Sequence, residues 1–173
     1  LLRNGMTLGA ALGLAFAAAA ETVTRPSIEE FEVMAAKENW SELVLRLGDT
    51  LPADRNPRWE AVVERAAVGH LRTLGQEGIS GAELVAEDFL RRFPSLSRSK
   101  DFLELWRGTA LMAYEPCASL VPDPDECTER LFSSLKNAGK DANALLRGAA
   151  LVAAHHAVCA SLPFLDLAAS DPG

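Results

Sequence analysis

Apolar side chains recur every three to four residues along three stretches of this sequence, centred near Arg65, Arg107 and Arg147. That spacing places them on one face of an α-helix, so the pattern predicts three long amphipathic helices. The apolar faces comprise Trp59, Val62, Val63, Ala66, Ala67 and Leu71 in the first, Phe102, Leu105, Trp106 and Ala110 in the second, and Leu145, Leu146, Ala149 and Val152 in the third.

Residues that start and stop helices divide the remaining chain. The spacing of a capping box occurs four times, in Ser27 with Glu30, Asn39 with Glu42, Ser80 with Glu83, and Asp123 with Glu126. Proline follows Asn56 and Asp123, and Gly48, Gly75 and Gly139 stand where helices are expected to end. The predicted helices are 27–38, 40–48, 57–74, 81–92, 99–115, 124–138 and 141–161.

The same pattern returns at a nearly fixed interval. Pro52 and Pro94 lie 42 residues apart, as do Arg65 and Arg107, and Arg147 follows after another 40. Small residues stand beside each arginine, at Ala66/Ala67, Gly108/Thr109 and Gly148/Ala149, where we expect helices to approach closely. A period of this size is typical of stacked repeats that bury their apolar faces against one another.

The segment Ala86-Glu87-Asp88-Phe89-Leu90-Arg91-Arg92-Phe93-Pro94 resembles the second helix of a tetratricopeptide-type repeat with its closing proline. The resemblance extends over about residues 40–160. It implies an all-α fold, a right-handed stack of about three antiparallel helix pairs in an α-solenoid, and a role in binding another protein or a peptide.

Composition agrees with a folded helical domain. The 173 residues carry a net charge of −7, 49% are hydrophobic and 24% are charged. An acidic chain is a poor partner for nucleic acid, and half apolar content is too high for a disordered chain. We therefore expect a single domain that does not bind nucleic acid.

The N-terminal segment predicts export. Residues 6–20 form an uncharged apolar run, Arg3 precedes it, and Ala18-Ala19-Ala20 before Glu21 offers a cleavage site. The predicted organisation is a signal peptide at 1–20, a linker at 21–26 and a helical domain at 27–173, in the periplasm or secreted. Because a membrane span needs about 20 apolar residues, we expect no stable membrane insertion after cleavage, although an uncleaved anchor and a cytosolic protein are alternatives.

Three cysteines follow this segment, at positions 117, 127 and 159. In an oxidising compartment, Cys117 and Cys127 are predicted to form a disulfide that closes the loop between two helices. The alternatives are a Cys127–Cys159 pair or three reduced thiols. Whichever pair forms, one thiol is left that can bridge to another chain.

Motifs for catalysis, cofactors or metals are absent from the sequence, which favours a protein that is not an enzyme. The runner-up interpretation is a small ligand-, metal- or enzyme-type helical domain with its site near His155, His156 and Cys159. Their spacing matches no zinc pattern. His70, on an apolar face, is expected to be a hydrogen-bonded core or boundary residue.

Basic residues supply the candidate partner-binding surface. Arg91, Arg92, Arg98 and Lys100 form a basic cluster in an acidic chain, which a solvated turn would also explain. Arg107 is a further candidate because Arg65, Arg107 and Arg147 recur once per repeat. The alternatives for these three are pairing with a helix-end carbonyl or an acid, or a ladder of arginines along a concave face.

The sequence thus predicts an exported, non-catalytic interaction module built from helical repeats. Residues 166–173 are polar and turn-like, so we expect no closing cap helix there, and a piece of a longer chain is a third interpretation.

Overall fold

The protein is all-helical. The computed structural model describes residues 26–78, 81–120, 124–155 and 158–170, and these contain eight α-helices and no strand. The α-helices are α1 Ile28–Ala36, α2 Trp40–Leu47, α3 Pro57–Gln76, α4 Ala82–Arg92, α5 Lys100–Leu120, α6 Pro124–Asn137, α7 Ala142–His155 and α8 Leu162–Ala169. Short 3₁₀ helices occupy Pro52–Asp54, Pro94–Arg98 and Val158–Ser161.

The helices α3, α5 and α7 lie in one row. α5 packs against α3 on one side and α7 on the other. α4 packs against both α3 and α5, α6 packs against both α5 and α7, and α8 covers α7. At the other end of the row, α1 and α2 pack on α3. Helices consecutive in the chain are therefore neighbours in space.

Buried side chains form two clusters, and α5 contributes to both. Phe102 and Trp106 join the first cluster, which α1–α4 complete. Ala110, Leu111 and Tyr114 join the second, which α6, α7 and α8 complete. Burying one large apolar side chain stabilises a fold by about 1.5–3 kcal/mol. Because α5 buries such side chains in both clusters, it connects the two clusters into one structure.

Several predicted helix ends are confirmed. Ser27 and Glu30 form a complete capping box, with the Ser27 amide donating to Glu30 Oε2 at 2.6 Å and the Glu30 amide donating to Ser27 Oγ at 3.3 Å. The Asn56 side chain accepts from the Trp59 amide at 3.0 Å and starts α3. Gly139 ends the turn after α6 with φ of +82°, a conformation that glycine adopts without strain.

Other predicted caps differ in geometry, although α2 begins after Asn39 and ends before Gly48 as expected. The Asn39 side chain makes no capping hydrogen bond, and the backbone amide of Asn39 donates to the Met34 carbonyl at 3.1 Å. Gly48 has a right-handed backbone rather than the left-handed cap. α3 continues through Gly75, which packs under α5, to Gln76. Ser80 and Asp123 lie outside the described residues, as do the predicted signal peptide at 1–20 and nearly all of the linker at 21–26.

α5 is longer than predicted. It continues through Pro116 to Leu120, although proline in a helix costs about 3 kcal/mol through its missing amide and its ring clash. Its last turn is held by a disulfide from Cys117 to α6 and by the Ser119 hydroxyl, which donates to the Glu115 carbonyl at 2.8 Å. These contacts explain why the helix does not stop at residue 115.

The C-terminal segment also differs from the prediction. α7 ends at His155 rather than at 161, and α8 follows where we expected a turn-like end without a cap helix. Pro163 lies in the first turn of α8, and Phe164 is fully buried, with its ring 5.1 Å from that of Phe132. Burial of the apolar Phe164 side chain therefore stabilises α8 against the rest of the fold.

The glycines inside helices differ in whether a neighbouring side chain approaches them closely. A Cβ atom at Gly148 would lie 2.8 Å from Leu135 Cδ1, and one at Gly69 would lie 2.7 Å from Cζ2 of Trp40. The expected close approach at Gly148 is therefore confirmed. At Gly108 it is wrong, since nothing lies within 4 Å of the position that a Cβ would occupy.

Among the described residues, no helix combines the length and the apolar character that crossing a bilayer would require.

The glycines yield a prediction for stability. Gly148→Ala is expected to lower the free energy of unfolding by about 1–3 kcal/mol through overpacking against Leu135 and Phe164. Gly108→Ala is expected to raise it by about 0.5–1 kcal/mol, because alanine favours the helix and meets no neighbour. Urea unfolding followed by circular dichroism measures both, and equal effects of the two substitutions would contradict this packing.

Candidate functional site

The row of long helices leaves an open groove of about 950 Å³ over α5, bounded by α3 and α7. We call it the α5 groove. Because α5 lies between α3 and α7, its exposed face forms the floor, and residues of the two neighbouring helices form the sides. This concave surface draws residues from three helices and is the candidate site.

The floor of the groove carries side chains at helical spacing. From the start of α5 toward its end they are Asp101, Glu104, Leu105, Gly108 and Met112. Met112 is 61% exposed, which is a large exposure for an apolar side chain. The floor is therefore acidic at one end and apolar at the other, with exposed helix backbone at Gly108.

The sides of the groove carry exposed polar groups. Arg72 and Gln76 project from α3, and Asn143 and Arg147 project from α7. These arginines stand on opposite sides of the floor, and the acids Asp101 and Glu104 stand on the floor itself. Charges of both signs thus line a single recess.

Two further charged residues of the groove hold the corner between α6 and α7. The Arg107 guanidinium donates to the Ala138 carbonyl at 2.7 Å and to the Gly139 carbonyl at 3.3 Å. These carbonyls lie at the end of α6, where a cation is favourable. Asp141 accepts from the Ala144 amide at 2.8 Å and caps α7. Of the alternatives for the recurring arginines, Arg107 therefore shows pairing with carbonyl groups at a helix end.

The three recurring arginines do not form a ladder. Arg107 and Arg147 line the α5 groove, but Arg65 lies elsewhere, close enough to Glu32 of α1 for its charge to act on that carboxylate. The pKa of Glu32 is lowered, first by its hydrogen bond with Arg58 and also by the charges of Arg58 and Arg65. The structure brings together two of the three arginines.

The basic cluster lies along the connection between α4 and α5. Arg91 and Arg92 both pair with Asp88, and the Arg92 guanidinium also lies 5.1 Å from the centre of the Phe93 ring. Arg98 lies 3.8 Å from Glu60 of α3, and Lys100 begins α5 with an exposed side chain. Three of these four side chains have acidic neighbours, and none of the four lines the α5 groove.

The predicted disulfide is confirmed. The sulfur atoms of Cys117 and Cys127 lie at disulfide distance, with Cα atoms 5.9 Å apart, and join the end of α5 to the start of α6. Cys127 is buried in the second core cluster. Cys159 is a free, exposed thiol, so the alternative Cys127–Cys159 pair does not form.

The residues of the runner-up site form no metal-binding group in the described part of the chain. His155 is exposed, with its ring 5.9 Å from that of Tyr114, and His156 lies outside the described residues. Within the described ranges no group of three His, Cys, Asp or Glu could hold a metal ion. Cys117 and Cys127 bond to each other and have no thiolate to offer a metal.

His70 is a half-buried residue of α3 whose ring meets Phe89 edge to face, with centroids 6.1 Å apart. Burial lowers the pKa of His70, because the charged imidazolium loses hydration there, while Glu77 acts weakly in the opposite direction. His70 is thus a boundary residue of the first core cluster.

Sequence reasoning did not identify Arg72, Asp101, Glu104 or Met112. A signal was present: Met112 lies outside the apolar face formed by Phe102, Trp106 and Ala110, and a glycine stands one turn before it. Single exposed apolar residues are common on protein surfaces, so this signal does not by itself mark a contact surface.

No protein-family model matches this chain, and no curated protein or solved structure does either. The residues of the α5 groove themselves therefore carry the functional argument.

The pKa of His70 yields a prediction. The unfolded chain binds a proton at this residue near pH 6.5, whereas the folded protein does so only at lower pH. Stability from His70 is therefore fully present above pH 6.5 and is lost as the pH falls toward the folded pKa. The melting temperature should fall less between pH 7.5 and pH 5.0 for His70→Gln than for the unsubstituted protein. An unchanged difference would contradict the assignment.

The disulfide yields a second prediction. Replacing both bonded cysteines by serine should lower the free energy of unfolding by about 2–3 kcal/mol, because a loop of this length is no longer closed in the unfolded state. Dithiothreitol should destabilise the unsubstituted protein and the Cys159→Ser control by the same amount, and should have no effect on the double variant. A response of the double variant to reductant would be incompatible with a single Cys117–Cys127 bond.

Proposed function

We propose that this protein is an exported, non-catalytic interaction module that binds a segment of another protein in the α5 groove. The observation that carries the proposal is the groove itself, a recess over three adjacent helices whose floor exposes Met112 and whose sides carry Arg72 and Arg147. Helical scaffolds bind partners through such extended surfaces rather than through one deep pocket.

We further propose that the helices form a right-handed stack of antiparallel pairs, similar to tetratricopeptide-type repeats. The packing supports this proposal, because α3, α5 and α7 lie in one row while α4 and α6 each bridge two members of that row. Pro52 and Pro94 support it too, since each starts a 3₁₀ helix that leads into a long helix of the row.

The proposed location is the periplasm or the exterior of the cell. The apolar run at residues 6–20, with Arg3 before it, supports a signal peptide that is removed on export. A disulfide between Cys117 and Cys127 is compatible with an oxidising compartment. A net charge of −7 favours a protein or peptide partner over nucleic acid.

The alternative function, a ligand, metal or enzyme site near His155, His156 and Cys159, has less support. His155 packs beside Tyr114 and is exposed, and Cys117 and Cys127 are bonded to each other. The α5 groove contains none of these three residues.

Site-specific photocrosslinking in the source cells tests the proposal. A benzoylphenylalanine residue replacing Met112 should form a covalent adduct with a partner, because this side chain lies exposed on the groove floor. The matched control replaces Leu45, which is 74% exposed on α2, far along the chain from the groove. We expect no corresponding adduct from position 45.

The groove substitution Arg147→Glu should reduce the adduct at position 112, while Arg46→Glu on α2 should leave it unchanged. Equal adducts at positions 112 and 45, or no adduct at 112, would contradict binding in the α5 groove.

A further inference from the structure

Packing requires some of the glycines inside helices but not others. Gly69 and Gly148 lie under side chains that would collide with a Cβ atom, so the packing requires them. Gly108 has open space, although a glycine inside a helix costs about 0.5–1 kcal/mol relative to alanine. A Cβ atom at Gly75, on the groove wall, would lie 3.8 Å from Thr109 and Met112 of α5, an ordinary contact distance. Internal packing therefore does not require glycine at either of these two groove positions.

An absent side chain at Gly108 leaves the backbone of α5 open between Leu105 and Met112. Helices with small residues at their contact can approach to the short end of the usual 8–10 Å packing distance. A partner that packs at Gly108 would therefore touch the backbone of α5 and cover the exposed Met112.

The backbone chemistry of the groove favours a helix over an extended peptide. The floor and both sides are helices, whose amides and carbonyls bond within each helix, so no strand edge is offered. An extended peptide would find no backbone partner in the groove, and its backbone groups would bond to side chains such as Gln76 and Asn143 or to water. A helix satisfies its backbone internally and needs only side-chain contacts.

The charges of the groove restrict the partner further. Asp101 and Glu104 stand on the floor one to two turns before Gly108, and Arg72 and Arg147 stand on the sides. A complementary helix carries basic residues at the end over Asp101 and Glu104, and acidic residues on the two flanks that face the arginines.

From these observations we infer that the α5 groove binds an amphipathic α-helix of a partner protein, with its apolar stripe on Leu105, Gly108 and Met112 and its charges matched to the acids and arginines. This inference rests on the proposed function and specifies its ligand. The floor from Asp101 to Met112 spans about 16 Å, which corresponds to a partner helix of at least about 11 residues.

Fluorescence anisotropy with synthetic peptides tests the inference. The probe is a fluorescein-labelled peptide of 18 residues with leucines at spacings of three and four, two lysines at one end and glutamates on both flanks. A second peptide of the same composition, but with two central residues exchanged for proline, cannot form the helix. We expect the helical peptide to bind the complete mature chain at least about tenfold more tightly than the proline peptide, because only the helix presents its leucines on one face.

Variants of the groove locate the binding. Gly108→Leu should weaken binding of the helical peptide at least about tenfold by filling the contact point, while circular dichroism should show an unchanged fold. Arg147→Glu should weaken it about fivefold, and a peptide with lysines in place of the glutamates on the one flank that faces position 147 should recover the loss. Leu45→Ala is the control that should change nothing.

Equal binding of the two peptides, or no effect of Gly108→Leu, would overturn the inference, as would an absence of binding by the helical peptide at millimolar concentration. The crosslink at position 112 separates this failure from the failure of the proposed function. If position 112 forms an adduct but the helical peptide does not bind, the groove binds a segment of another kind. If neither the adduct nor the binding is observed, the groove is not a binding site.

Discussion

The burial of α5 on two sides is the constraint on which the rest of the structure depends. Phe102 and Trp106 complete the core formed with α1–α4, while Leu111 and Tyr114 complete the core formed with α6–α8. Neither cluster closes without this helix. Polar contacts follow the same connectivity: Ser99, ahead of α5, donates to Glu64 of α3 at 2.6 Å, and Arg107 of α5 donates to the carbonyl groups ahead of α7. Each long helix is therefore tied to the turn that begins the next one.

The same constraint creates the α5 groove. A helix that packs against neighbours on two sides keeps one face that the fold does not cover, and on α5 that face runs from Asp101 through Gly108 to Met112. Its neighbours α3 and α7 are displaced to either side, so their exposed residues Arg72 and Arg147 become the sides of a recess. A surface that follows directly from the helix row, and that the fold leaves partly apolar, is suited to binding another chain.

Much of the fold was predictable from the sequence, because local rules decide it. The apolar spacing around Trp59, Phe102 and Leu145 predicted the long helices, and the Ser27 and Asn56 caps predicted the starts of α1 and α3. Helix ends that depend on distant contacts were not predictable: α5 passes Pro116, and α8 forms around buried Phe164. The residues of the site were harder to predict. Arg107 could be identified because it recurs in the repeat, whereas Arg72 and Glu104 line one recess only after α3 and α5 pack together. Exposed residues carry no periodic signal that distinguishes a binding face from a solvated one.

Native-state hydrogen exchange tests the central position of α5 most directly. If α5 completes both cores, the amides of residues 103–114 should exchange only through global unfolding, and should be at least as protected as any amides in α3 or α7. Truncation of Trp106 to alanine should then accelerate exchange in α7 as well as in α3, although Trp106 belongs to the first cluster. Faster exchange in α5 than in its two neighbours, or an effect of that substitution confined to α1–α4, would contradict the account.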